Sequence, residues 1–448
     1  MKTVLCHGVF DLLHYGHIRY FKAAKQFGDH LTVSITSDRF VKKGPGRPHF
    51  PAEIRKQMLK SLACVDRVVI SDSPTAVSVI ETLKPDFYVK GPDYRDLSAD
   101  PTGGIVAEKD AVEAYGGKLV FTEEPTFSSS ELINKYMSRW TPEQKETIER
   151  VRELGGIELI KKLLNEISEL SVSVVGEFIT DRYVFCEPTG ISNKASSVSA
   201  RIVKTEEYQG GTWYVINNLK EFVDLSYYRN VGTNIKTRYL SHESNQKIFE
   251  ATHINDTESI LDRSSLHCKN DDLLVVCDFG HGLFEGPNLE IINKVKIPIA
   301  LNVQTNSSNV GFNPFTKHKR FDYLTLDLKE GRLATHDRYS DKDEIFAKVQ
   351  SLISNGVAVA MTEGPNGSRY AKCNVNVRAP AFANRIVDAT GAGDAFFAIT
   401  TLFDRVGAPP ELIPFVGNVF AGLKTEIMGT SRPVTKAEFL KAVEGILK

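Results

Sequence analysis

The chain has 448 residues, 25% of them charged and 42% hydrophobic, with a formal net charge of −1. That length suits two or three domains with substantial cores, and the near-zero charge offers no basic field for nucleic acid or an anionic membrane. Six dispersed cysteines (Cys6, Cys64, Cys186, Cys268, Cys277, Cys373) form no C-x-x-C pair, so neither a zinc site nor a disulfide framework is indicated.

Short apolar runs at Thr3–Cys6, Leu31–Ile35, Arg67–Ile70, Phe87–Val89 and Lys118–Phe121 alternate with amphipathic segments over residues 1–136. This is the pattern of a parallel sheet with helices on both faces, whose ligands bind at the carboxyl ends of the strands. The first run is followed by Gly8-Val9-Phe10-Asp11-Leu12-Leu13-His14-Tyr15-Gly16-His17. His14 and His17 are spaced to share one side of a first helical turn, and Gly16 leaves room for a phosphate chain. Two imidazoles at a helix N-terminus suit stabilisation of charge on an α-phosphate during nucleotidyl transfer. Gly8, Phe10 and Asp11 belong to the same nucleotide-binding string.

The second run leads to Lys42-Lys43-Gly44-Pro45-Gly46-Arg47-Pro48, a cationic loop in which Lys43 and Arg47 would neutralise phosphates. Lys90 closes a strand in Val89-Lys90-Gly91-Pro92-Asp93-Tyr94. Ser128-Ser129-Ser130-Glu131 reads as a capping box, and its helix N-terminus would hold a nucleotide triphosphate through Ser128 and Ser129. Residues 137–168 are charged and then helically periodic, which predicts a helical connector.

From Ser171 onward, strands are expected at Ser171–Val175, Leu273–Cys277, Pro298–Val303, Tyr323–Leu326 and Val357–Met361, with a small β lid near Ser197–Thr212. The most informative stretch is Asp388-Ala389-Thr390-Gly391-Ala392-Gly393-Asp394, set between a β-like run (Asn384–Val387) and an apolar helical run (Ala395–Phe403). A Gly-Ala-Gly turn opening a helix aims backbone N–H groups at one point, where the helix dipole favours an anion. Asp394 beside that anion makes sense as the base that takes a proton from a hydroxyl attacking a phosphoryl group.

These motifs carry two resemblances. The Gly8–His17 string resembles the cytidylyltransferase-like nucleotidyltransferases over about residues 1–136. The Asp388–Asp394 block resembles the second signature of the PfkB/ribokinase sugar kinases over about residues 169–448. The fold class implied is α/β throughout: a Rossmann-like domain, then a ribokinase-like domain with a β lid. The second resemblance implies Asp394 as catalytic base and Gly391, Ala392 and Gly393 as the anion hole. It implies Thr362, Gly364 and Gly367 as the ATP-side turn, and Asn418, on the run Pro414–Leu423, as an adenine-side residue. Asp181, Gly210, Gly211 and Tyr214 fall on its substrate side, and Glu330 on the position linked to magnesium.

Together the strings look most like the bifunctional ADP-heptose synthases, in which the kinase comes first; here the order is inverted. Several substrate-side positions depart from those relatives: Glu177 for aspartate, Trp213-Tyr214 after the double glycine, His281 for lysine, Asn302-Val303-Gln304 for D-P-K, and Asp327 for asparagine. The Trp–Tyr pair adds bulk and could offer a ring a stacking face.

The expectation is a bifunctional enzyme that phosphorylates a sugar or sugar phosphate with ATP and Mg2+. It would also join a sugar phosphate to a nucleotidyl group from ATP or CTP. The alternative is a nucleotidyltransferase, possibly for a polyol phosphate, whose kinase-like half is a binding or dimerisation module. No apolar run reaches the ~20 residues of a membrane span and no signal-peptide core follows Met1. A soluble, cytoplasmic homodimer without nucleic-acid or membrane partners is therefore expected.

Overall fold

The computed structural model describes residues 1–41, 47–95, 104–123, 140–191, 197–228, 234–244, 246–254, 261, 271–306, 309–383 and 385–448. Lys43, Ser128 and Ser129, and with them most of the cationic loop and the serine capping box, lie outside these residues. The chain divides into two compact units, one of residues 1–141 with 437–448 and one of residues 142–436. The segment read as a connector is largely helical, and its two helices, α5 (Pro142–Glu153) and α6 (Gly156–Ser168), fall within the second unit. The last twelve residues, 437–448, group with the first unit.

Among the described residues, the first unit holds a five-stranded sheet in the order β3-β2-β1-β4-β5. Its strands are β1 (Thr3–Gly8), β2 (His30–Thr36), β3 (Arg67–Ser71), β4 (Phe87–Lys90) and β5 (Lys118–Phe121). All neighbours pair in parallel. Helices α1 (Tyr15–Lys25), α2 (Ala52–Lys60), α3 (Val77–Leu83) and α4 (Gly104–Ala114) connect them. One apolar cluster packs Val4, Phe21, Leu31, Val33 and Leu59; another packs Leu5, Ile80, Tyr88 and Val112. Strand order reverses between β1 and β4, so the crevice at their carboxyl ends is the topological switch point where α/β sheets bind ligands.

Among its described residues the second unit holds an eight-stranded sheet, β17-β16-β15-β14-β13-β12-β6-β9. Strands β9 (Asp224–Tyr228), β6 (Ser171–Gly176), β12 (Leu273–Asp278), β13 (Ile299–Val303), β14 (Tyr323–Asp327) and β15 (Ala358–Thr362) run parallel. The antiparallel strands β16 (Ser368–Lys372) and β17 (Val375–Ala379) extend one edge. Helices α8 (Gly286–Asn293), α9 (Leu328–Ala334) and α10 (Lys342–Ser351) bury Ile292, Ala334, Ile345 and Phe346 in a cluster with the sheet. Helix α11 (Ala392–Arg405) packs against α7 (Thr212–Leu219) and α12 (Leu412–Thr425).

The lid is larger than expected. Among the described residues it is a separate four-stranded sheet, β11-β10-β7-β8, from β7 (Phe178–Ile191), β8 (Val198–Gly211), β10 (Asn234–Ser241) and β11 (Lys247–His253). The described part of the β-like run before the glycines, Arg385–Val387, is not a strand. Its Val387 and Asp388 N–H groups both donate to the Thr425 carbonyl, at 2.8 and 3.1 Å, so the segment docks on the end of α12 and not on a strand neighbour.

Candidate active sites

In the first unit, Gly8–His17 bridges β1 and α1 at the switch point. A Cβ on Gly8 would lie 2.9 Å from the Phe10 ring, so glycine lets that ring fold back. The Phe10 ring then meets His17 edge-on at 5.2 Å and Phe21 at 5.0 Å. His14 is the N-cap residue of α1, and its carbonyl accepts the His17 N–H at 3.0 Å. The two imidazoles stack with centroids 3.8 Å apart, as the spacing required. Burial holds the pKa of His14 below its ordinary value. The Tyr20 hydroxyl donates to the Val89 carbonyl at 2.6 Å and ties α1 to β4.

Asp11 and Arg47, read separately in the sequence, meet each other in the fold. Asp11 is buried, and its Oδ1 accepts the N–H groups of His49 and Phe50 at 2.7 and 3.0 Å. Its Oδ2 lies 3.3 Å from the Arg47 Nε, with both side chains almost fully shielded. The pair fixes the segment entering α2, and the Arg47 charge is already balanced by a carboxylate. Lys90 is similarly engaged: its ammonium lies 3.0 Å from Glu108, which also accepts from the Tyr88 hydroxyl at 2.8 Å and the Ala76 N–H at 2.9 Å.

Arg55, which has no local signature in its sequence, organises the same site from α2. It is fully buried and donates to the carbonyls of Val9, Thr36 and Phe50 at 2.6, 2.9 and 2.8 Å. It also donates to Asp38 Oδ1 at 2.6 Å. One guanidinium thus joins the His-bearing turn to the end of β2 and the start of α2. Replacing it with methionine takes donors from the buried Thr36 carbonyl and the half-buried Val9 and Phe50 carbonyls. Arg55→Met is expected to destabilise the first unit by about 3 kcal/mol, at about 1–3 kcal/mol for each buried group left unsatisfied. Urea-dependent hydrogen exchange at the β1 and β2 amides measures this.

In the second unit, Gly391 is the N-cap of α11 at φ 79°, a left-handed conformation that glycine adopts without strain. Ala392, Gly393 and Asp394 form the first turn, where N–H groups lack intrahelical acceptors. Asp394 is buried, and burial raises its pKa from 3.8 to about 7. The Gln304 side-chain amide donates to its Oδ1 and to Asn302 Oδ1. The glutamine that replaces a family lysine therefore holds the proposed base. Asp388 steadies the turn from below: its Oδ1 accepts Thr390 N–H at 2.8 Å and its Oδ2 accepts Gly429 N–H at 2.9 Å.

The Thr362–Gly367 segment is the tight connection from β15 to β16, closed by Glu363 N–H to the Gly367 carbonyl at 2.7 Å. Gly364 and Gly367 have φ of 58° and 91°, and a Cβ on Gly367 would lie 2.1 Å from the Ala379 carbonyl. Asn418 donates to the carbonyls of Ala379 and Pro380 at 2.9 and 3.0 Å, bracing the chain beside that turn.

On the substrate side, a Cβ on Gly210 would lie 2.0 Å from Asp181 Oδ2, so the double glycine is what lets Asp181 lie there. Gly211 has φ 58° and starts α7. Asp181 pairs with Arg238 of β10, which reaches on to Glu250 at 3.5 Å. Tyr214 is not a stacking surface. It is fully buried, and its Cε1 lies 3.1 Å from where a Cβ on Gly391 would be, so it supports the turn from inside. Trp213 packs edge-on against Phe178 and Tyr227 at 4.8 and 5.4 Å.

Glu177 proves a structural substitute. Its two oxygens accept the N–H groups of Phe279, His281 and Leu283 at 2.8, 2.8 and 2.9 Å, shaping the Asp278–Leu283 loop. Glu330 is likewise committed: Oε2 accepts the Asp327 N–H at 2.7 Å in a capping box, and Oε1 accepts the Thr305 N–H at 2.9 Å. Burial and the neighbouring Asp327 raise its pKa to about 8. No group of three His, Cys, Asp or Glu side chains among the described residues is placed to hold a metal. In this arrangement both Glu330 oxygens accept backbone N–H groups.

Residues 5–135 match the cytidylyltransferase-like family and residues 220–437 the pfkB family of carbohydrate kinases. The N-terminal domain is thus cytidylyltransferase-like and the C-terminal domain is of the pfkB type. Among curated relatives, the bifunctional protein HldE of Syntrophotalea carbinolica is 38% identical over 143 residues, 31% of this chain and 28% of the relative. That of Geobacter metallireducens is 41% identical over 148 residues, 32% of this chain and 28% of the relative. The matched segment therefore spans little more than a quarter of those proteins. Among solved structures, ribokinase from Thermotoga maritima is 16% identical with a TM-score of 0.48, covering 61% of this chain and 99% of that one.

Proposed function

We propose that the chain is a bifunctional enzyme. In this reading the second unit phosphorylates a sugar or sugar phosphate with ATP, and the first transfers a nucleotidyl group from ATP or CTP to a sugar phosphate. The observation that carries it is a buried aspartate, poised near neutrality by burial, directly behind a Gly-Ala-Gly helix start. A sugar hydroxyl would attack the γ-phosphorus, its proton passing to Asp394 as the bond from that phosphorus to the ADP oxygen breaks. The first-turn amides of α11 would meet the charge on the phosphoryl oxygens. In the first unit, an oxygen of the sugar phosphate would attack the α-phosphorus in line and pyrophosphate would leave. His14 and His17 would stabilise the developing charge there. Magnesium would shield the nucleotide phosphates when bound.

The product would be an ADP-heptose-like nucleotide sugar for surface polysaccharide, made in the cytoplasm by a homodimer; this extends the resemblance to the bifunctional relatives. Within the chain, residues 1–136 would carry nucleotidyl transfer and 169–448 phosphorylation, with 137–168 between them. The second reading keeps the nucleotidyltransferase, including a polyol-phosphate substrate, and makes the kinase-like unit a binding or dimerisation module. The engagement of Asp181 by Arg238 and of Glu330 by backbone favours it.

Two assays on the full-length protein separate the readings. One measures pyrophosphate release with each NTP against a panel of sugar 1-phosphates. The other measures ADP formation from ATP with a panel of sugars and sugar phosphates that includes heptose 7-phosphate. Activity in both supports the bifunctional enzyme; pyrophosphate release alone selects the second reading.

A further inference from the structure

A fully shielded lysine lies beneath the anion-binding turn of the second unit. Lys424 sits in the last turn of α12, a helix otherwise rich in apolar residues. Its ammonium donates to the carbonyl of Asp388 at 3.4 Å and to that of Ile427 at 3.1 Å. These carbonyls belong to two segments. Asp388 opens the turn that leads to Gly391–Asp394; Ile427 lies just past α12. The same segments are laced by the two N–H groups donated to Thr425 and by Gly429 N–H to Asp388 Oδ2. The Tyr214 ring, which supports Gly391, lies 6.0 Å from the ammonium.

A lysine in a last helical turn often caps the terminal carbonyls. Capping alone does not call for complete burial, because desolvating an ammonium is costly and an apolar side chain of the same length would pack without that cost. Burial lowers the Lys424 pKa to about 8, while Asp388 and Asp394 favour its charged form. The carbonyl pair, the carboxylates and the phosphate-facing turn all lie around one cation.

We propose that Lys424 is a positioning residue of the kinase site, a fixed cation that clamps the Asp388 carbonyl to the Ile427 carbonyl and so sets the Gly391–Gly393 turn against the incoming phosphate. This rests on the kinase reading above. The clamp acts through the turn, and its positive charge lies behind the place where phosphoryl charge develops.

Two substitutions test it. Lys424→Ala removes three methylenes and the ammonium, which propylammonium replaces atom for atom. Lys424→Met keeps the length, removes the charge and fills the space. With the best substrate of the sugar panel, kcat is expected to fall about ten- to a hundredfold in both variants, the range a misplaced catalytic geometry costs, with little change in sugar KM. Propylammonium is expected to restore kcat and raise the thermal midpoint of Lys424→Ala, but neither in Lys424→Met. Choline chloride at equal ionic strength is expected to do neither. Wild-type kcat in Lys424→Met, or no effect of propylammonium on Lys424→Ala, overturns the clamp. If Lys424→Ala does not fold alone, its folded yield with and without propylammonium becomes the readout. If the wild type forms no sugar-dependent ADP, the kinase reading fails by itself, and the thermal comparison decides the clamp.

Discussion

Asp394→Asn is expected to abolish sugar-dependent ADP formation, with a loss of about two orders of magnitude or more, while ATP binding and the fold persist. A hydroxyl is too weak an acid to attack as an alkoxide near neutrality, so a placed carboxylate must take its proton as the bond forms. Asparagine keeps the shape, and its amide oxygen can still accept from Gln304. The wild-type rate should fall below about pH 7, because burial raises Asp394 to that value and the protonated acid cannot act as base. The linkage runs the other way for stability. A carboxylate whose folded pKa exceeds its unfolded value costs stability once pH rises past the folded pKa, and costs nothing below the unfolded one. Asp394→Asn should therefore raise the thermal midpoint at pH 8 and leave it nearly unchanged at pH 3. An inactive wild type whose ATP affinity matches that of the variant would retire the kinase site and leave a binding module.

The second large effect is expected at the stacked histidines. His17→Ala and, separately, His14→Ala should each lower pyrophosphate release by about two orders of magnitude or more, the loss typical when a transition-state charge stabiliser is removed. Both side chains stand at the N-terminus of α1, where the helix dipole adds to their effect on an α-phosphate. ADP formation with a sugar should be unchanged in both variants, which separates a local chemical defect from general unfolding. Near-normal pyrophosphate release in one variant would remove that histidine from the mechanism and leave the other to be tested alone.

Much of the framework was legible because it follows from local rules. The parallel sheet of the first unit appears where apolar runs alternate with amphipathic ones, and the histidine pair stacks because three-residue spacing places both rings on one side of a first turn. The Gly391 turn needed a left-handed residue ahead of an apolar helix, and it has one. The lid was only partly legible. Its strands β10 and β11 lie far along the chain from β7 and β8, and pairing between distant strands leaves no periodic trace.

Single side chains gave only partial signals where the partner was remote. Asp11, read as part of the nucleotide-binding string, and Arg47, read as a phosphate-side cation, meet each other; Glu330, read at a magnesium-linked position, accepts backbone N–H groups; Tyr214, read with Trp213 as a stacking face, is buried under Gly391. Arg55 and Lys424 carry no motif, and Gln304 stood out only as a departure from D-P-K; each is held by groups far along the chain. The sequence by itself determined the two α/β frameworks and the two strand-to-helix or loop-to-helix turns at Gly8–His17 and Gly391–Asp394, because short-range periodicity, glycine conformations and helix starts are local physics. Only the tertiary structure decided which charged groups are spent on holding those turns, because a buried charge takes the partner that folding brings to it, and that partner has no fixed sequence distance.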